Sequence, residues 1–162
     1  MCTARACFTL AFTAMLATSA CGGEDPSMRQ EEKPLQPDAA IVEVDLFSGR
    51  PNPSWSLTPE EAAHLVEIVD ELEPAAAREA PGWLGYRGIR FRLLRQGREI
   101  ESAQSFDEHL SRQGAAGTRH LADPGRKVER WLLGTGEGRI EPEAYKGYRT
   151  AAESHWTRKK GP

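Results

Sequence analysis

Ile41-Val42-Glu43-Val44-Asp45-Leu46-Phe47, then Ser48-Gly49-Arg50-Pro51-Asn52-Pro53, Trp55, Leu57 and Thr58-Pro59-Glu60-Glu61, is the stretch that decides the class of fold. Val42, Val44 and Leu46 alternate with Glu43 and Asp45, the period of a strand with one face buried. Two prolines then remove two backbone donors and push the residues before them to extended conformations, so 48–53 reads as a stiff loop. Trp55 and Leu57 end it as a short apolar return. Thr58-Pro59-Glu60-Glu61 follows as a helix start: a threonine cap, a proline at the first helical position and a glutamate three after the cap. Both glutamates also suit the positive end of the helix dipole. Ala62, Leu65, Val66, Val69 and Leu72 recur at spacings of three and four as a core-facing stripe, and Pro74 marks the stop. His64 lies beside the stripe with no partner at i+4 and reads as a boundary residue.

Outward from this unit, Glu73 to Pro81 is an alanine-rich link, and Gly82-Trp83-Leu84-Gly85-Tyr86-Arg87-Gly88 leads into a second strand. There Ile89, Phe91 and Leu93 alternate with Arg90, Arg92 and Leu94. Gln96-Gly97 is the turn, and Glu99 to Phe106 the return strand of a hairpin. That return strand is weakly apolar, which suggests an edge position or packing on one face only. Gly114 to Thr118 reads as a loop. Asp123-Pro124-Gly125-Arg126 opens a second helix, with Asp123 as cap, Pro124 at the first helical position, Val128, Trp131 and Leu132 as its apolar face and Gly134 as terminator. The order β-α-β-β-α predicts an α+β domain: a small antiparallel sheet with two packed helices.

The beginning of the chain gives an address. Arg5 precedes an apolar stretch from Ala6 to Leu16, and Ala17-Thr18-Ser19-Ala20 leads into Cys21, the pattern of a secretion signal. Cys21 directly after that site suggests a bacterial lipoprotein acylated on this thiol. Thr18 stands where a lipobox carries an aliphatic residue, so ordinary cleavage after Ala17 or Ala20 and an uncleaved anchor are the alternatives. Gly22-Gly23-Glu24-Asp25-Pro26 suits a tether, and Cys21 has no later cysteine to pair with. Gly22 is unlike the Asp that retains lipoproteins at the inner membrane, which points to the outer membrane or cell surface, with a soluble periplasmic or secreted form as the alternative. The expected organisation is a signal peptide over 1–20, a flexible tether over 21–39, the α+β domain over 40–134 and a tail over 135–162. Tyr145, Tyr148 and Trp156 leave that tail as either a docked helix or an irregular end.

Several chemistries are not indicated. A net charge of −3 gives no electrostatic case for nucleic acid, and the basic end Arg158-Lys159-Lys160 reads as solvated. Cys2 and Cys7 fall inside the leader. His64, His109, His120 and His155 lack metal-ligand spacing, so neither a metal nor a cofactor is expected. Gly134-Thr135-Gly136-Glu137-Gly138 follows a helix and lacks the Lys-Ser/Thr of a phosphate loop. There is no Gly-x-Ser-x-Gly elbow and no selected carboxylate pair, so no catalytic residue is assigned.

Three blocks stand out together: Val44 to Pro53 with Trp55, Leu84 to Gly88, and Asp123-Pro124-Gly125-Arg126 with Glu129-Arg130-Trp131-Leu132-Leu133. In this order they resemble a scattered set of small, mostly secreted bacterial proteins, over roughly Ile41 to Leu133. The resemblance implies one domain and carries no activity, ligand or catalytic residue. Each block places an arginine near a glycine: Arg50, Arg87 and Arg126. Guanidinium forks match carboxylate or phosphate oxygens. If the loops converge they form an anion pocket walled by Trp55, Trp83 or Tyr86. The competing account is structural, with the arginines on loop carbonyls and helix ends and the tryptophans in the core. Two functional classes follow: a non-enzymatic, lipid-anchored module that binds an envelope protein or anionic ligand, or a small enzyme acting on an anionic envelope substrate through the arginine loops.

Overall fold

The computed structural model describes residues 36–46, 51–78 and 85–158. Cys21 with the leader and most of the tether, Arg50 and Trp83 lie outside the described residues. The described residues belong to one compact unit of α+β class. Its elements are β1 (Ala39–Val44), β2 (Ser54–Leu57), α1 (Pro59–Asp70), β3 (Ile89–Arg95), β4 (Arg98–Phe106), β5 (His109–Gly114), β6 (Gly117–Ala122), α2 (Lys127–Thr135) and α3 (Pro142–Arg158). The strands form one antiparallel sheet in the order β2-β1-β3-β4-β5-β6.

Register explains why one face is dry. Val42 pairs with Trp55 on one side and Phe91 on the other, and Phe91 with Ala103, so these four side chains share a face. Ala40, Val44, Leu57, Ile89, Leu93 and Leu110 extend it, all buried. Leu65, Val66 and Val69 of α1 and Val128, Leu132 and Leu133 of α2 are buried in the same core. Each such side chain contributes about 1.5–3 kcal/mol when fully removed from water. α1 starts as the sequence requires: Thr58 Oγ1 accepts from Glu61 N at 3.2 Å and the Glu61 carboxylate accepts from Thr58 N at 2.9 Å. The capping box satisfies two donors that would otherwise face solvent without a partner.

Of the two expectations for the return strand, packing on one face holds and the edge position does not, and the β5–β6 hairpin and both ends of α2 depart from the expected pattern. The return strand β4 is interior, between β3 and β5, and packs on one face; its weak apolarity reflects polar inner positions, not an edge. Gly114 to Thr118 is the turn of a hairpin, with Gly114 paired to Gly117 and Thr118 already inside β6. Three strands, β5 and β6 together with β2, where only a short apolar return was expected, are therefore added to the expected order. α2 begins at Lys127, because Pro124 and Gly125 form a turn closed by Arg126 N to Asp123 O at 2.9 Å. Asp123 still serves the helix from outside it, accepting from Val128 N and Glu129 N. Gly134 is helical, and α2 ends one residue later, with Gly136 at the cap.

Residues 142–158 of the expected tail form α3, with Glu141 accepting from Glu143 N and Ala144 N at its start and Ala152 and Trp156 buried. Both sheet edges are engaged. Arg139 donates to Ser56 O of β2 at 2.9 Å, and residues 73–75 run along β6, with Ala75 N donating to His120 O and Ala122 N to Glu73 O. Occupied edges resist pairing with another chain.

Candidate functional site

The two faces of the sheet differ in kind. Residues that alternate with the core set, Ile41, Glu43, Arg90, Arg92, Gln104 and Ser111, point away from the helices. They line a groove of about 520 Å³ on the outer face, together with Ser102 and Gln113. Arg92 lies 3.8 Å from Glu99, and Asn52 Nδ2 donates to Glu43 at 3.0 Å, so the groove's charges are largely balanced within the protein. Ser102, Gln104, Ser111 and Gln113 add hydroxyl and amide groups, which both donate and accept, beside the apolar Ile41, Phe91 and Ala103.

At one end of the sheet sits the first expected arginine. Asp45, 1% exposed, follows β1 and receives Arg87 Nε at 3.0 Å, a second Arg87 nitrogen, and Arg90 on its other oxygen. Backbone bonds between Asp45 and residues 87 and 88 hold the pair in register. Two guanidinium groups compensate one buried carboxylate, which is the arrangement a buried charge needs. Arg87 is thus spent on an internal anion.

The second arginine, Arg126, is also buried and reaches Asp107 at 3.2 Å and Glu108 at 3.4 Å. Asp107 receives Arg78 as well, at 2.7 Å. Asp107, Glu108 and Arg126 all have positive φ, at 55°, 64° and 58°. Residues 107–108 are the two-residue turn of the β4–β5 hairpin, where both positions need the left-handed region and Gly is favoured second. The ion pairs hold this conformation in a non-glycine turn.

Between these lies the least expected group. Glu129 of α2 is fully buried and receives the Tyr86 hydroxyl and, at 3.2 Å, Trp156 Nε1 on the same oxygen, Oε1. Its Oε2 is buried without a hydrogen-bond partner, as is Arg126 Nε. Burial raises the Glu129 carboxyl above its ordinary range, against the opposing pull of Tyr86, Trp156 and Arg126. Burial, with the Glu129 charge, raises the Tyr86 phenol too. Asp123 is raised by burial, in opposition to its helix N–H bonds. Tyr86 packs beside Phe106 and His155, with ring centroids 6.4 and 6.0 Å away. Trp55 is a core residue: it is 6% exposed, and its Nε1 donates to Thr135 Oγ1 at 2.9 Å.

The described geometry therefore engages Arg87 and Arg126 with the protein's own carboxylates and buries Trp55 and Tyr86; Arg50 and Trp83 fall outside the described residues. The sequence reading missed Glu129, whose signal was available: it is one turn before Leu133 and so lies on the apolar side of α2. It also missed the buried ion pair of Arg112 with Glu101, to which Asp70 adds a third charge, because that pairing depends on strand register. Among the described residues no group of three or more His, Cys, Asp or Glu is placed to hold a metal ion, and no helix is long and apolar enough to cross a membrane. No family model, curated protein or solved structure matches the chain.

Proposed function

We propose that this chain is an exported bacterial envelope protein, anchored by acylation of Cys21, that acts as a non-enzymatic binding module through the open face of its sheet. The observation that carries the reading is the outer groove of about 520 Å³, lined by Ser102, Gln104, Ser111 and Gln113 between charge pairs. A surface rich in donor–acceptor groups and largely neutralised in charge suits a polar, hydroxyl- or amide-bearing partner. The raised acids, Glu129 and Asp123, support the non-enzymatic side: both are sealed in the core, where a substrate cannot touch them. The enzyme alternative draws on Arg50, Arg87 and Arg126, two of which already hold internal carboxylates.

Two measurements test this. Intact mass of the chain isolated from membranes, beside Cys21→Ala, reads the anchor: acyl mass on a chain beginning at Cys21, lost in the variant, is expected, and an unmodified chain overturns it. A photo-crosslinker at Gln113 should yield a discrete adduct in cells, and one at the exposed Glu67 of α1 should not. Equal labelling from both positions overturns the binding face.

A further inference from the structure

A second cavity, of about 350 Å³, lies on the helix side of the sheet, where the end of α1, the segment after it and strands β5 and β6 meet. Val69, Leu72, Pro74 and Leu121 are its apolar walls, and Asp70, Arg112 and Arg119 its charged groups. Pro74 is bridged to Leu121, so the segment after α1 is fixed against β6 and the walls belong to the fold. The volume is at the small end of ligand cavities, which suits a small molecule and not a polymer.

Strand register sets the two arginines side by side. Arg119 of β6 pairs directly with Arg112 of β5, and both face the helices, while His120 pairs with Ser111 and points to the outer face. Like charges directly opposite on paired strands are destabilising. Arg112 is compensated: its Nε donates to Glu101 and its Nη1 to Asp70, which leaves Nη2 without a hydrogen bond among the described residues. Asp70, the one carboxylate lining the cavity, is therefore taken. Arg119 is exposed, and among the described residues it makes no hydrogen bond or ion pair. The cavity thus sets one uncompensated positive charge beside an apolar wall. For the fold alone this pairing is a cost, and an anion beside the two guanidinium groups removes it.

We propose that this cavity binds a small carboxylic acid with an aliphatic body. The carboxylate lies against Arg119, with Arg112 Nη2 as a second donor, and the chain lies along Val69, Leu72, Pro74 and Leu121. Guanidinium forks match carboxylate oxygens, and apolar walls strengthen the pairing by lowering the local dielectric. Each methylene that leaves water adds about fourfold in affinity. The cavity and the outer groove lie on opposite faces of the sheet, so the two bind separately.

The test is an amide NMR titration of the full chain carrying Cys21→Ala, so that no acyl group competes, with octanoate, octanol and acetate as probes. Octanoate should move the Leu72, Arg119 and Leu121 amides saturably. It should bind at least about tenfold more tightly than octanol, which lacks the charge, or acetate, which lacks the chain. Arg119→Gln changes an exposed side chain that holds nothing in place, so the variant should fold as the parent does. It should weaken octanoate about tenfold and leave octanol unchanged, whereas Arg98→Gln at the β3–β4 turn should alter neither. Octanol binding as tightly as octanoate, or equal weakening by the two variants, overturns the proposal. So does the absence of saturable movement at the three amides, or movement confined to Ser102 and Gln113, which places the acid in the outer groove.

Discussion

Trp156 of α3 donates its indole N–H to Glu129 of α2 at 3.2 Å, and this bond ties the C-terminal helix to the core through a carboxyl with no solvent access. The Tyr86 hydroxyl shares the same oxygen, so the segment before β3, α2 and α3 meet at one acid. Both donors favour the carboxylate, but burial away from water favours the neutral carboxyl more, which is why its folded-state proton affinity is raised.

The pH dependence follows from that direction. The folded state holds the Glu129 proton more tightly than the unfolded chain, so its contribution to stability is full below the ordinary value of 4.5 and is lost as pH rises through the raised one. Glu129→Gln keeps the shape and an acceptor for both donors but does not ionise. Urea midpoints measured from pH 4 to 8 should show the variant gaining on the parent as pH rises. A constant difference across that range would refute the assignment.

Arg112 is nine-tenths buried between Glu101 and Asp70, so its removal strands a buried carboxylate. Arg112→Met should cost about 3–5 kcal/mol in urea unfolding. Adding Glu101→Gln should recover part of that loss, because the stranded charge is removed with it. A double variant no better than the single would show that packing of the arginine stem, and not charge, sets the cost.

Gly88 and Gly97 both have positive φ, at 106° and 71°, yet differ in surroundings. A Cβ at Gly88 would meet Ser105 O at 2.2 Å, whereas nothing lies within 4 Å of one at Gly97. Gly97→Ala should therefore cost about 1 kcal/mol from backbone strain alone. Gly88→Ala should cost several times as much, since the β3–β4 pairing must open. At the β4–β5 turn two effects oppose: Glu108→Gly relieves a φ of 64° but gives up the Arg126 contact and adds unfolded-state entropy, so it should change stability by less than about 1 kcal/mol. Thermal melts of the three variants check the order.

β1, α1, β3 and the first hairpin were legible because each buries one clean face: Val42 and Val44, Leu65 and Val69, Ile89, Phe91 and Leu93. β5 and β6 were not. Their inward positions are Leu110, Arg112, Arg119 and Leu121, so half of the expected apolar signal is arginine. Arg112 is admitted to that face by Glu101, one strand away, and no local pattern contains that fact. Arg87 and Arg126 were legible as forks, but their partners Asp45, Asp107 and Glu108 come from other strands and turns. A run of charges and loops in sequence is here a set of internal ion pairs.

His109 and His120 supply the last test, because each faces the other on adjacent strands, with His109 Nε2 3.1 Å from His120 Nδ1. At that separation one ring nitrogen donates and the other accepts, in either sense, so a proton on both facing nitrogens at once is opposed. Burial first, then His120 and Arg78, lower the His109 value below the ordinary 6.5. A depressed base binds fewer protons folded than unfolded, so stability tied to it is present above 6.5 and is lost as pH falls through that range. His120→Gln removes one opposing charge while keeping a polar side chain. The His109 ring signals in an NMR titration should then move to a higher midpoint, and stability between pH 5 and 7 should become flatter. An unchanged midpoint would assign the depression to burial and Arg78 and remove His120 from the account.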